Sequence, residues 1–204
     1  MTPPIFLLFA IANCAWLFFP LSGQAGTAQA LSLSFNAYVA SPAVLTHFSI
    51  EQPLAPVPAQ IVSGSADIVF PRLTGAAVLS TPKDVNRDGK WRISAQWVDL
   101  ISEKAWRASV DVPVKALDQS YSLYTLLVIF GPNGELLVGS DKISRDPSDR
   151  VDVVRTCGIR VPEADRDWKS RTGYFPELPR VMAYRQENLG RASVTTACPP
   201  PGDH

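Results

Sequence analysis

The stretch DVNRDGKWRISAQWVDLISEKAWRASVDVP, residues 84–113, carries the clearest periodicity in the chain. Trp91, Ile93, Ala95 and Trp97 alternate with Arg92, Ser94 and Gln96. After a polar break at residues 99–104, Trp106, Ala108, Val110 and Val112 alternate with Arg107, Ser109 and Asp111. Period-two alternation puts one apolar face on each of two half-buried strands. The break is short enough to join them as a hairpin. Three of the five tryptophans fall on that face, so core packing is favoured over a sugar- or base-stacking platform.

Further strands follow on either side. Residues 31–39 (LSLSFNAYV) alternate and read as a first strand, and residues 44–50 as a second. Pro53, Pro56 and Pro58 predict an extended connection unsuited to the middle of a sheet. Residues 61–70 and 75–79 are short β-prone runs separated by Pro71. Residues 122–130 (SLYTLLVIF) are apolar on both faces, the pattern of a central strand covered on two sides. Gly131-Pro132-Asn133-Gly134 then turns the chain into residues 135–138, making a second hairpin in what reads as an antiparallel meander.

Beyond Ser140 a polar segment (141–150) leads to a strand-like run at 151–154. Residues 162–172 (PEADRDWKSRT) have polar helical character for one or two turns, ended by Pro176 and Pro179. Residues 181–184 and 192–196 read as final short strands, and residues 199–204 as a disordered tail. The expectation is a mainly β chain: one antiparallel β-sandwich or meander domain over residues 31–198, with one short helical segment near the C-terminus.

The N-terminus points outside the cytoplasm. Residues 5–21 (IFLLFAIANCAWLFFPL) are almost continuously apolar and are followed by Ala28-Gln29-Ala30. An apolar core ending at small residues is the pattern of a secretory signal peptide, here residues 1–30, with cleavage after Ala30. Residues 1–4 lack the usual basic residue. A retained anchor and a lipoprotein lipidated at Cys14 are the rival readings. Asn13 and Pro20 interrupt the run, and a lipidated cysteine would end the apolar segment, whereas this run continues past Cys14. Removal of Cys14 leaves Cys157 and Cys198, which in an exported protein would pair. Closing that loop of about 40 residues stabilises by roughly 4 kcal/mol in the chain-entropy model. No stable membrane span remains after signal cleavage.

Nineteen basic and nineteen acidic residues balance, without a Lys/Arg run, so there is no electrostatic case for nucleic acid or an anionic membrane. Two cysteines and two histidines, one of them the terminal His204, do not make a zinc site.

Residues 95–113 (AQWVDLISEKAWRASVDVP) and 128–138 (VIFGPNGELLV) place a strand ending in Trp, an acidic turn, an aromatic strand leading into Val-Pro, and a Gly-Pro-x-Gly turn in that order. In this, residues 95–138 resemble a family of small, functionally uncharacterised envelope lipoproteins of gammaproteobacteria. The resemblance implies an envelope location and brings no catalytic residues. The chain departs from the family in lacking a lipobox around Cys14.

Three sites can be weighed. Asp84, Asn86 and Asp88 occupy positions one, three and five of a calcium loop, with Gly89 at the sharp turn. Position twelve, which should be a bidentate carboxylate, is Ala95, so calcium lacks ligands and an ordinary turn into the strand explains the same residues. His47 stands in Thr46-His47-Phe48 without a G-x-S-x-G nucleophile elbow, and no carboxylate pair is singled out for acid–base work. Trp168, within ADRDWKSR and flanked by Arg166 and Arg171, has the composition of an interface anchor. The expectation is a periplasmic or secreted, non-enzymatic protein that binds another protein and needs no cofactor. One natural role is that of an immunity protein neutralising a toxic effector. An envelope hydrolase using two carboxylates and a calcium-stabilised surface or adhesion module are the alternatives.

Overall fold

In the computed structural model, the described residues are 29–68, 75–120, 122–141, 150–166, 168–169, 175–192 and 196–200. Residues 1–28 of the expected signal peptide (1–30), the inner part of the last expected strand (193–195), residues 142–149, Arg171 and the end of the tail (201–204) lie outside them.

Two sheets face each other. The first contains β1 (Ala30–Ala37), β4 (Ala76–Ser80), β7 (Gln119–Ser120), β8 (Leu123–Phe130), β9 (Glu135–Asp141) and β10 (Arg150–Cys157). Its order is β10-β9-β8-β1-β4, with β7 also on β8. The second contains β2 (Ala43–Ile50), β3 (Ala55–Val62), β5 (Lys90–Asp99), β6 (Ala105–Pro113) and β11 (Ile159–Arg160), ordered β11-β6-β5-β2-β3. Every pairing between these strands is antiparallel except β1 with β8.

The two hairpins are therefore not neighbours in one meander. β5–β6 lies in one sheet and β8–β9 in the other, because both carry an apolar face and each buries the other's. Trp97 meets Phe130 at 4.9 Å between ring centroids, and Trp91 meets Tyr124 edge-on at 5.4 Å. Aromatic pairs in such tilted and edge-on arrangements add about 0.5–1.5 kcal/mol beyond their area. β8 is covered on both sides, as its composition requires. Tyr124, Leu126, Val128 and Phe130 enter the main core, while Leu127 and Ile129 meet Tyr38, Ala66 and Leu137 outside it.

Several elements differ from the sequence reading. Pro56 and Pro58 do lie in a strand, β3, but at the sheet's edge and beside a register shift, where a missing donor is tolerated. The run from residue 61 stops as strand at Val62. Residues 63–68 fold over the outer face of β8 instead, tied down by Asn36 to Ser65 and by Val39 N–H to Asp67 at 2.7 Å. Residues 162–164 form a 3-10 turn and Trp168 and Lys169 are helical, both inside the segment where one or two helical turns were expected; a longer α-helix, α1, runs over Leu178–Asn188, where a strand was expected at 181–184. Pro179 sits in its first turn, where proline's missing donor costs nothing. Met182, Ala183, Arg185, Gln186 and Glu187 are good helix formers. None of the described helices is long and apolar enough to cross a membrane.

Cys157 and Cys198 form a disulfide. β10 ends there and passes through Gly158 into β11 of the other sheet, closing one side of the sandwich. Gly158 N–H donates to Gly134 O at 2.7 Å, and a Cβ at 158 would press on Arg107 O.

Candidate functional site

The β5–β6 turn, residues 100–103, is held by hydrogen bonds on both flanks. Asp99 N–H donates to Lys104 O at 3.0 Å, and Glu103 takes a left-handed φ of 53° to close the turn. The Asp99 carboxylate, 5% exposed, accepts from the backbone N–H groups of Ile101 and Ser102 and from the Ser41 hydroxyl. The Ser41 contact ties this turn to the β1–β2 turn across the end of the sandwich. With the β8–β9 turn, the two frame an open cleft of about 220 Å³ lined by Ala40, Asp99, Ile101, Ser102, Lys104, Trp106, Pro132 and Asn133. Trp106 forms its aromatic wall and packs flat against Gly134, where a Cβ would overlap the ring.

On its other flank the same turn is held by the segment after β11. Asp165 accepts from Ala105 N–H at 2.6 Å and pairs with Arg160 at 2.9 Å. The Arg160 guanidinium hydrogen bond holds the Asp165 carboxyl below the usual range, against a smaller upward push from burial. Lys169 reaches Glu103 at 2.6 Å and, with Arg166 further off, keeps that exposed carboxyl low.

Trp168 has a different place from the one expected of an exposed anchor. It is 7% exposed and packs with Val44, Val98, Ala105, Val161 and Ala164 on the outer face of the second sheet, 5.5 Å from Phe175. Its charged neighbours in sequence conceal that its contacts are to residues far along the chain. Arg166 is exposed beside the β5–β6 turn, and Arg171 lies outside the described residues. The surface thus collects the apolar Ile101, 40% exposed, with Lys104, Arg166 and Lys169 beside the carboxylates of Glu103 and Asp165. Among the described residues the Lys104 ammonium and the Arg166 guanidinium form no ion pair. Sequence reading passed over Ile101 and Lys104 because LISEK reads only as a polar turn.

The calcium candidates form a turn that uses its own backbone. Asp84 accepts from the N–H of Asp88 and of Gly89, at 3.2 and 2.7 Å, and Asp88 from Lys90 N–H at 3.0 Å. Glu51 holds the loop from the side, accepting from Val85 and Arg92 N–H. Asn86 is exposed. No cluster of three metal-ligating side chains is found among the described residues.

A second buried polar group lies beneath the C-terminal segment. Glu135 is wholly buried, paired with Arg155 at 2.9 Å and bonded by the Tyr38 hydroxyl at 3.4 Å and by Ala197 N–H at 3.3 Å. Burial, and then the Glu135 charge, push the Tyr38 hydroxyl up to about 12. Thr196 bonds Pro132 O and Asn133 bonds Cys198 O, so the disulfide-held segment seals this turn. Another cavity, about 210 Å³ and lined by Ala116, Leu117, Asp118, Ser140 and Val151, offers one carboxylate, as does the first. His47 contacts the Thr46 hydroxyl at 3.1 Å.

Compared with protein-family models, with curated protein sequences and with solved structures, the chain matches none.

Proposed function

We propose that this is an exported, non-catalytic protein that binds another protein through the β5–β6 turn and its flanks. The carrying observation is the combination at that turn: Ile101 stands exposed on a hydrogen-bonded loop beside Lys104 and Arg166, neither of which forms an ion pair among the described residues. A cationic rim about an apolar centre suits a partner that offers carboxylates about an apolar patch. Rigid loops on a sandwich scaffold also lose little entropy on binding. Export is supported by the apolar run and A-x-A site, together with a disulfide of the kind that oxidising compartments maintain. Neutralising a toxic effector, as an immunity protein does, is the specific role this reading favours.

The test is affinity capture from an envelope extract, with neighbouring gene products supplied, using the protein and an Ile101→Asp/Lys104→Glu variant. The expected result is a protein retained by the parent and lost from the variant, whose circular dichroism and melting stay unchanged. Equal retention by both would refute this surface, and retention of nothing by either would refute the binding role.

A further inference from the structure

The open sides of the two sheets are finished differently. β3 ends the second sheet with Pro56, Pro58 and a register shift, devices that blunt an edge against pairing. β10, at one edge of the first sheet, carries Arg150, Asp152 and Arg155 and leads through Gly158 into the other sheet. β4, at the opposite edge, has none of these. Its sequence is Ala76-Ala77-Val78-Leu79-Ser80, without charge or proline, and all five residues are exposed.

The β1–β4 register fixes which backbone groups of β4 face outward. Thr81 N–H donates to Gln29 O at 3.2 Å, and the pairing continues with Ser80 opposite Ala30 and Leu79 opposite Leu31. Hydrogen-bonded and non-bonded pairs alternate in an antiparallel ladder. Leu79 and Ala77 therefore turn their N–H and C=O to β1, while Ala76, Val78 and Ser80 turn theirs away from the sheet. Among the described residues no strand pairs with that side.

We infer that β4 is an interface between two copies of this chain, paired antiparallel edge to edge about a two-fold axis at Val78. The occupant is a second copy because the strand is its own complement. The axis sets Val78 opposite the partner's Val78 and Ala76 opposite the partner's Ser80, so every outward N–H and C=O meets its counterpart without a register slip. No like charges meet. The side chains agree with this. Leu79 and Ala77 share the inner face with Leu31 and Leu33, yet Leu79 remains 43% exposed at the open side of the core. The axis places Leu79 beside the partner's Ala77 on that same face, joining the two cores in one apolar layer. Val78, 68% exposed on the outer face, packs on its symmetry mate. Self-complementary contact of this kind closes at two subunits.

Sedimentation equilibrium of the exported protein, freed of its apolar N-terminal segment, tests this, alongside three variants. Val78→Pro deletes the outward N–H of the central pair and keeps every bond to β1. Val78→Lys keeps the whole backbone and sets two ammonium groups face to face. Val85→Lys changes an apolar residue, 65% exposed, in the loop beyond β4. The expected result is a concentration-dependent dimer for the parent and for Val85→Lys, and a monomer with unaltered circular dichroism for Val78→Lys and Val78→Pro. If Val78→Pro fails to fold, Val78→Lys decides. A parent that is monomeric at every concentration, or a dimer that survives Val78→Lys, overturns the inference; the first result would leave β4 open to a strand from another protein.

Discussion

The Arg155 guanidinium, one-third exposed on β10, holds the carboxylate of wholly buried Glu135 at 2.9 Å, so a charge inside the protein is answered by one that still touches water. Removing either partner of such a pair costs far more than the pair itself contributes, because a buried charge is left unanswered. Arg155→Ala is therefore expected to destabilise by about 2–4 kcal/mol in urea unfolding. Arg155→Lys, which keeps a cation beside Glu135, should restore part of the loss. Equal destabilisation by Arg155→Ala and Arg155→Lys would show that the charge is not the cause.

Trp168 and Arg166 are two residues apart but should behave oppositely. Trp168→Ala removes a ring from the second apolar cluster and is expected to cost about 3–5 kcal/mol. Arg166→Ala touches an exposed side chain and should leave stability within about 0.5 kcal/mol while weakening capture of the partner. Chemical denaturation and the capture assay read these separately.

The hairpin and the two-faced β8 were legible because their signal is local: alternation at residues 91–112 and unbroken apolar character at 123–130. The parallel contact of β1 with β8 was not legible, since it joins residues about ninety apart and leaves no mark in periodicity. α1 was misread as a strand because Val181, Met182, Ala183 and Tyr184 form a short apolar run that fits either period, and Pro179 was taken as a breaker rather than a first-turn residue. The charged neighbours of Trp168 made it look exposed, while its contacts, Val44, Val98 and Ala105, are scattered along the chain. Of the candidate surface, only Arg166 was named from sequence.

Two glycines with left-handed backbones separate strain from crowding. Gly89 has φ +76° and open space where a Cβ would stand, so Gly89→Ala should cost about 1–2 kcal/mol, the left-handed penalty alone. Gly134 has φ +77° and the Trp106 ring at that point, so Gly134→Ala should cost about 3 kcal/mol or more. Thermal melts that rank the two variants the other way would contradict the packing of Trp106 on the β8–β9 turn.

Asp67 supplies a pH signature. Burial raises its carboxyl above the ordinary 3.8, outweighing the backbone hydrogen bonds, Val39 first, and the Arg150 charge that lower it. The folded state then binds its proton more tightly than the unfolded chain, so this group's cost is full above the folded value and disappears as pH falls toward 3.8. Asp67→Asn, which keeps an acceptor for Val39 N–H, should melt higher than the parent at neutral pH, with the difference closing in acid. A difference independent of pH would contradict it.

The most direct measurement is hydrogen–deuterium exchange of the protein with and without its captured partner. Slower exchange in the complex at residues 99–106 and 165–169 is the expected result. Protection confined to other segments, with the β5–β6 turn exchanging as it does in the free protein, would contradict the proposed binding surface.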